Sequence, residues 1–309
     1  VDGMFVGSID NDRLRSLLDS EEACVQALYD AKWPDGYRCP RCEHPHAYVI
    51  STRRFPLFEC RNCKKQTSLI VDTVFQGTRT PLHLWFQAIY LHSRPEGINA
   101  LRLAETIGVT YKTSWLICHK LRTAMSHAEA SRLLEGLVRV TDTTIYYRLA
   151  GISNWQPQEQ SVLIAASAGE IGYLERIKIE RQDKNLLKNR LTSPSAASFV
   201  LRHVAPEAWN DLTITRRRKE HDRALLSVGE ALDNWLAWLF RGVGPKHLQA
   251  YITHFCYWWN ERNRSMFEDL LKWCAATPRT TYRELTGRAA GRSSRPVRSA
   301  NPASRVVAG

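Results

Sequence analysis

This sequence predicts an α+β, multidomain chain, and three observations carry the prediction. Two Cys-x-x-Cys pairs, Cys39 with Cys42 and Cys60 with Cys63, enclose short β-prone runs. A helical pattern, a sharp turn at Gly108 and a second helical pattern come next. Beyond residue 128 the chain reads strand, strand, strand, helix, strand, helix, and then closes on further helices.

Composition sets the limits. The 309 residues, 44% of them hydrophobic, are enough for more than one core. A formal charge of +12 directs attention to a polyanionic partner, nucleic acid first. No apolar run reaches the roughly eighteen residues that cross a bilayer, so no membrane partner is expected. The start of the chain has no basic region followed by an apolar run, which argues for a reducing compartment.

The first thirty residues are read as helical, with Leu14, Leu17 and Leu18, then Val25, Leu28 and Tyr29, on one side. Asp19 or Ser20 followed by Glu21 and Glu22 is a helix start, and Trp33, Pro34 and Gly36 are the stop. Seventeen residues then separate Cys42 from Cys60, the spacing of a ribbon in which each pair lends two thiolates to one tetrahedral ion. AYVIST and FPLFE, joined at Arg53 and Arg54, form the hairpin that returns the second pair to the first. Cys39, Cys42, Cys60 and Cys63 are therefore candidate ligands of structural Zn2+. Two disulfides are the alternative, and they would need an oxidising compartment. His44 and His46 are expected to be exposed loop residues, because four thiolates fill the site. Cys24, Cys118, Cys256 and Cys274 stand alone in helical patterns and are read as packed, inert thiols.

After Pro81 comes a helix with Leu82, Trp85, Phe86, Ile89 and Tyr90, aromatics assigned to a core. The next stretch has the layout of a helix-turn-helix: Leu101, Leu103 and Ala104 on a short helix, Gly108 at the turn, and a second helix from about Tyr111 with Trp115, Leu116 and Leu121 inward. The early second helix of such a motif enters the major groove, which would present Thr110, Tyr111, Lys112 and Ser114 to DNA, with His119, Lys120 and Arg122 following the backbone.

In the second half, LEGLVRVTDTTIYY and SVLIAASAGEIGYLERIKIE supply three strands of a meander, the last two turning at Gly169 to Gly172. AASFVLRHVAPEAW is a helix ending before Pro206, LTIT a strand and DRALLSVGEALDNWLAWLF a long helix. That order is the order of an RNase H-like core. The aromatic helices after Pro245 are expected to pack as a pair, and the acid-free basic tail beyond Arg288 to be disordered. The resulting organisation is a helical segment (1–36), a zinc ribbon (37–75), a helical DNA-binding region (76–128), an RNase H-like domain (129–287) and the tail (288–309).

Taken jointly, YRCPRC with CRNC, QTSLIVDTVFQGTRTPLHLWFQAIYL, HKLRTAM, LEGLVRV and GVGPKHLQAYITHFCYWWNERN resemble the zinc-ribbon insertion-sequence transposases with a DDE-type domain, from about Trp33 to Leu271. The resemblance implies a bacterial, cytoplasmic and nucleoid-associated protein that binds double-stranded DNA at transposon ends and self-associates as a homo-oligomer. It also implies Mg2+- or Mn2+-dependent strand cleavage and transfer by acids that hold two ions. In the family the first acid ends a run like Val-Glu-Val-Asp-Glu-Thr. The gap-free match here puts Thr141 in that slot, and a one-residue slip gives Asp142. Asp211 is the available second acid, and Asn234 fits the third position, with Asp233 and Glu230 as neighbours. His254 stands where the family usually has an acid. Two readings follow: an active transposase using Asp142, Asp211 and Asn234, or a decayed or domesticated relative that keeps DNA binding without cutting.

Overall fold

The computed structural model describes residues 11–18, 20–94, 96–147, 153–169, 173–216 and 222–287. Residues up to Arg279 form one compact unit, and Thr280–Gly309 a second one.

The first unit begins with helices α1 (Asn11–Leu18) and α2 (Glu21–Lys32). Ser20 starts α2 by accepting from the Ala23 N–H at 3.0 Å, the bond that an N-cap hydroxyl provides. Strands β1 (Ala47–Ile50), β2 (Leu57–Cys60) and β3 (Gln66–Ser68) make an antiparallel sheet in the order β1-β2-β3. The expected hairpin is there, and a third short strand closes it. Helix α3 (Leu82–Ser93) starts at Pro81 with no side-chain cap of its own. Its free amides are met from outside: Glu21 of α2 accepts from the N–H groups of Leu82 (2.9 Å) and His83 (3.3 Å). Burial works against the Glu21 carboxylate, yet these bonds and the His83 ring hold its pKa below the ordinary value.

Helix α4 (Ala100–Ile107) is capped by Asn99, and Gly108 ends it in the left-handed region at φ 67°, which a residue without Cβ adopts at no steric cost. Thr110 then caps α5 (Tyr111–Ala130). Ser114 Oγ donates to the Ala100 carbonyl at 2.7 Å and pins the two helices together. Helix, glycine turn and second helix are therefore present as elements where the sequence placed them.

The second sheet contains β4 (Leu137–Ile145), β5 (Gln160–Ala168), β6 (Leu174–Arg181) and β7 (Leu212–Ile214), in the order β6-β5-β4-β7. The first three pair antiparallel, and β7 lies parallel to β4. The crossover to β7 runs through α6 (Ala197–His203) and a 3-10 turn, Pro206–Asp211. Central strand β5 is buried along nearly its whole length, as its unbroken run of small and apolar residues requires when both faces are covered. Val138, Val140, Leu163 and Ala165 face Phe199 and Val200 of α6. The other face packs on α7 (Arg223–Phe240) and α8 (Pro245–Glu261) through Val162, Ile164, Leu232 and Phe255. Gly229 lets α7 approach: a Cβ there would lie 3.0 Å from Thr143 Cγ2 and 3.1 Å from Ile164 Cδ1.

Helix α9 (Met266–Ala276) does not stay with that sheet. Its Phe267, Leu270, Leu271 and Cys274 join Leu28, Phe58, Phe86 and Leu121 in one core, so the packing crosses the boundaries expected near residues 36, 75 and 128. The four lone cysteines are buried, as expected. A buried ionic seam joins the helical part to the sheet. Lys178 of β6 pairs with Glu129 of α5 at 2.6 Å, Arg176 reaches Glu261 at 3.4 Å, and Arg132 binds both Glu261 and Asp269.

In the second unit, helix α10 (Tyr282–Thr286) has a capping box between Thr281 and Glu284. The tail from residue 288 lies outside the described residues, as do residues 170–172 of the expected turn. Among the described residues no helix is long and apolar enough to cross a membrane.

Candidate metal centre and nucleic-acid interface

Each cysteine pair sits in a tight turn ended by a left-handed residue, Glu43 (φ 58°) after Cys42 and Lys64 (φ 59°) after Cys63. The Glu43 N–H donates to the Cys39 carbonyl at 2.8 Å and that of Lys64 to Cys60 at 3.1 Å, so the two turns are conformational copies. They bring the four thiol sulfurs within 4.8 Å of one another. Cys39 and Cys63 are 3.5 Å apart and Cys42 and Cys60 3.6 Å. A tetrahedral zinc ion about 2.3 Å from each sulfur sets them about 3.8 Å apart, whereas a disulfide needs about 2.05 Å. The donor set fits zinc, and a disulfide does not fit. Burial opposes ionisation of Cys39, but the N–H groups of Arg41 and Cys42 and the neighbouring thiols bring its pKa down to about 6. His44 and His46 face one another outside the thiol set, ring centres 5.5 Å apart.

At the start of α5, Thr110, Tyr111 and Lys112 are exposed, while Ser114 is buried in its bond to α4. Three further residues assigned to the DNA backbone are interior, which corrects that expectation. His119, Lys120 and Arg122 are only 2%, 6% and 1% exposed. Lys120 Nζ donates to the Val74 carbonyl at 2.5 Å, and burial pushes its pKa down to about 8. The Arg122 guanidinium stacks on Tyr251 at 3.8 Å, beneath α8. Around it, His92 and His119 are held at a pKa of about 3 by burial first and by the Arg122 charge next, and His254 is lowered for the same reasons. All three are neutral near pH 7, and each leaves one ring nitrogen without a hydrogen-bond partner.

The acids named for strand transfer are not brought together. Asp142 shares the α6-facing side of β4 with Val138 and Val140, as the two-residue repeat of a strand dictates, and accepts from Ser193 Oγ at 3.1 Å. Leu212 pairs with Val138, so Asp211 lies beside position 137. Five strand residues, about 17 Å at a strand's rise, separate it from Asp142. Asn234 is exposed on α7, across the sheet from Asp142. Paired catalytic ions sit about 3.5–4 Å apart, a spacing this trio does not fit. Thr141, in the gap-free slot, is fully buried with its hydroxyl unpartnered. Beside Asn234, Asp233 accepts from the Tyr146 N–H at 3.1 Å, and burial raises its pKa. Among the described residues the four cysteines are the one cluster of three or more acids, histidines or thiols within reach of a single ion.

The comparisons with known proteins agree with the ribbon. Residues 19–66 match the transposase zinc-ribbon domain of the IS1595 type. An uncharacterized protein in transposable element ISH50 of Halobacterium salinarum is 25% identical over 151 residues, 48% of this chain and 50% of that protein. The chain thus spans about half the length of the curated relative it matches. No solved structure matches it. The chain is therefore transposase-like, with an insertion-sequence type of zinc ribbon.

Proposed function

We propose that this chain is a double-stranded DNA-binding protein of insertion-sequence transposase descent, holding structural zinc and reading transposon ends through the start of α5. The observation that carries this is the exposed run Thr110, Tyr111 and Lys112, at the N-terminal turn of the second helix of a helix-turn-helix in a chain with a transposase-type ribbon. The charge of +12 supports the same partner.

The second half is an RNase H-like body on this reading, supported by three antiparallel strands and a helical crossover to a parallel fourth. It serves as scaffold, because the register keeps Asp142 and Asp211 too far apart to share an ion pair. The test is DNA cleavage and joining with Mg2+ or Mn2+, run beside duplex binding by the zinc-loaded protein. Tight, salt-sensitive binding without products supports the proposal. Products that disappear in Asp142→Ala and Asp211→Ala would restore the strand-transfer reading, in which those acids and Asn234 hold the ions.

A further inference from the structure

A cavity of about 760 Å³ lies between the end of β4, the start of β5, the second half of α7 and the loop that leads to α8. Asp233 and Arg241 both line it. They stand eight positions apart along α7, about 12 Å at a helix's rise, so the carboxylate and the guanidinium mark opposite ends of the space. Neither enters an ion pair among the described residues. Tyr146 fixes the acidic end. Its backbone is held in the left-handed region (φ 55°), which is costly for a residue with a side chain and persists where the surroundings impose it. From there its N–H donates to Asp233 Oδ1 at 3.1 Å, and its hydroxyl accepts from the Val243 N–H at 3.0 Å. One residue thus holds both the carboxylate and the loop. Asp233 Oδ2 has no partner among the described residues and is not closed off from solvent, so the cavity wall carries a fixed, accessible acceptor.

Tyr147, the next residue, supplies a flat wall. Its ring is 39% exposed, the Arg190 guanidinium lies over it at 4.8 Å, and Arg190 donates to its hydroxyl at 3.0 Å. Arg190 is itself locked by buried Glu159 at 2.9 Å, so the ring is set in place before any ligand arrives. The contents that match these walls offer a hydrogen-bond donor to Asp233, a planar ring to Tyr147 and an anion to Arg241. A nucleotide whose base carries an exocyclic amine combines all three, and the volume accommodates one. Residues 241–244 also border a second hollow together with Tyr111, which puts DNA engaged by the start of α5 within reach of the cavity.

We infer that this cavity takes one extrahelical nucleotide of the bound DNA, with a base that bears an exocyclic amine. Asp233 Oδ2 accepts from the amine, Tyr147 stacks on the base and Arg241 binds the phosphate. Thymine, which has no amine, is refused. The inference rests on the DNA-binding reading above and adds to it a position at which a single base is read outside the helix. Removing a base from a paired duplex costs pairing and stacking energy, which a nucleotide already unpaired does not.

The test measures the affinity of the full, zinc-loaded chain for a paired duplex and for the same duplex carrying one bulged dA, dC, dG or dT or an abasic site. The three amine-bearing bulges should bind about tenfold tighter than the dT or abasic bulge, a ratio that one hydrogen bond to a charged group sustains. Two variants, with folding checked by circular dichroism, locate the effect. Asp233→Asn keeps an oxygen for the Tyr146 N–H and replaces the free acceptor by an amide donor, so the preference should turn towards dT, whose carbonyls accept. Ala237→Trp, at an exposed position of α7 on the cavity wall, should erase the differences among the bulges. A dT or abasic bulge that the wild type binds as tightly as the other three overturns the inference and leaves the DNA-binding reading standing. An unchanged preference in folded Asp233→Asn overturns it as well. If the wild type binds no duplex at all, the DNA-binding reading fails, and titration with dAMP, dCMP, dGMP and dTMP decides the site. Saturable binding of the first three over dTMP keeps the nucleotide site, and equal binding or none overturns it.

Discussion

Glu261 is completely buried at the end of α8, where it accepts from Arg132 and Arg176, two guanidinium groups that keep 22% and 20% of their side chains exposed. Glu261→Gln preserves shape and removes the charge on which both converge. Taking one partner out of a buried ion pair costs about 3–5 kcal/mol. Arg132 retains Asp269 at 3.1 Å, and Arg176 retains Glu129 at 3.7 Å, which places the loss at the low end, about 3 kcal/mol. At about 2–4 °C per kcal/mol for a domain of 150–250 residues, the melting temperature drops by about 6–12 °C. Urea and thermal unfolding of the zinc-loaded protein measure this, with Arg264→Ala as control. Arg264 reaches the same carboxylate at 3.9 Å but is 69% exposed, so its loss should cost less than about 1 kcal/mol. If Glu261→Gln and the control shift the midpoint equally, with unchanged m, the seam does not hold the sheet to the helices and the reasoning is refuted.

Three further outcomes are expected. Because His92 and His119 titrate at about 3 when folded and near the ordinary 6.5 when unfolded, the unfolded chain binds more protons between those values. Stability is lost as pH falls from 6.5 towards 3, by up to about 1.4 kcal/mol per pH unit for each ring, and urea midpoints at pH 7, 6 and 5 should decline in that order. His254→Glu supplies the carboxylate that Arg122 lacks among the described residues and should raise the melting temperature at pH 7; a lower one would count against an uncompensated Arg122 charge. A chelator strong enough to strip zinc should abolish amide-exchange protection in β1, β2 and β3 while leaving β5 protected, since four thiolates hold the first sheet and an apolar core the second.

What was legible in the sequence was local. The cysteine spacing set the ribbon, and Gly108 with its flanking periodicity set the helix-turn-helix, because each signal lies within one or two elements. Burial of His119, Lys120 and Arg122 was not legible, since the helix covering that side of α5 lies more than a hundred residues later. The separation of Asp142 from Asp211 follows from a parallel register, which nothing in either strand records by itself. Strand β3 was legible only as a β-prone stretch after Cys63, because three residues carry no periodicity, and its bounds come from its pairing to β2.

The placement of α9 bears on how the protein is made. Phe267, Leu270, Leu271 and Cys274 complete the core that also contains Leu28, Phe58, Phe86 and Leu121. At about 5–20 residues per second, the ribosome needs roughly 7–30 s to travel from the end of α5 to the end of α9. Through that interval the ribbon and the helix-turn-helix are already outside the ribosome with one wall of their interior missing. The helices α4 and α5 are thus completed only after the sheet that follows them in the chain, and a nascent chain lacking α9 would have to wait for it, or borrow that wall from a chaperone.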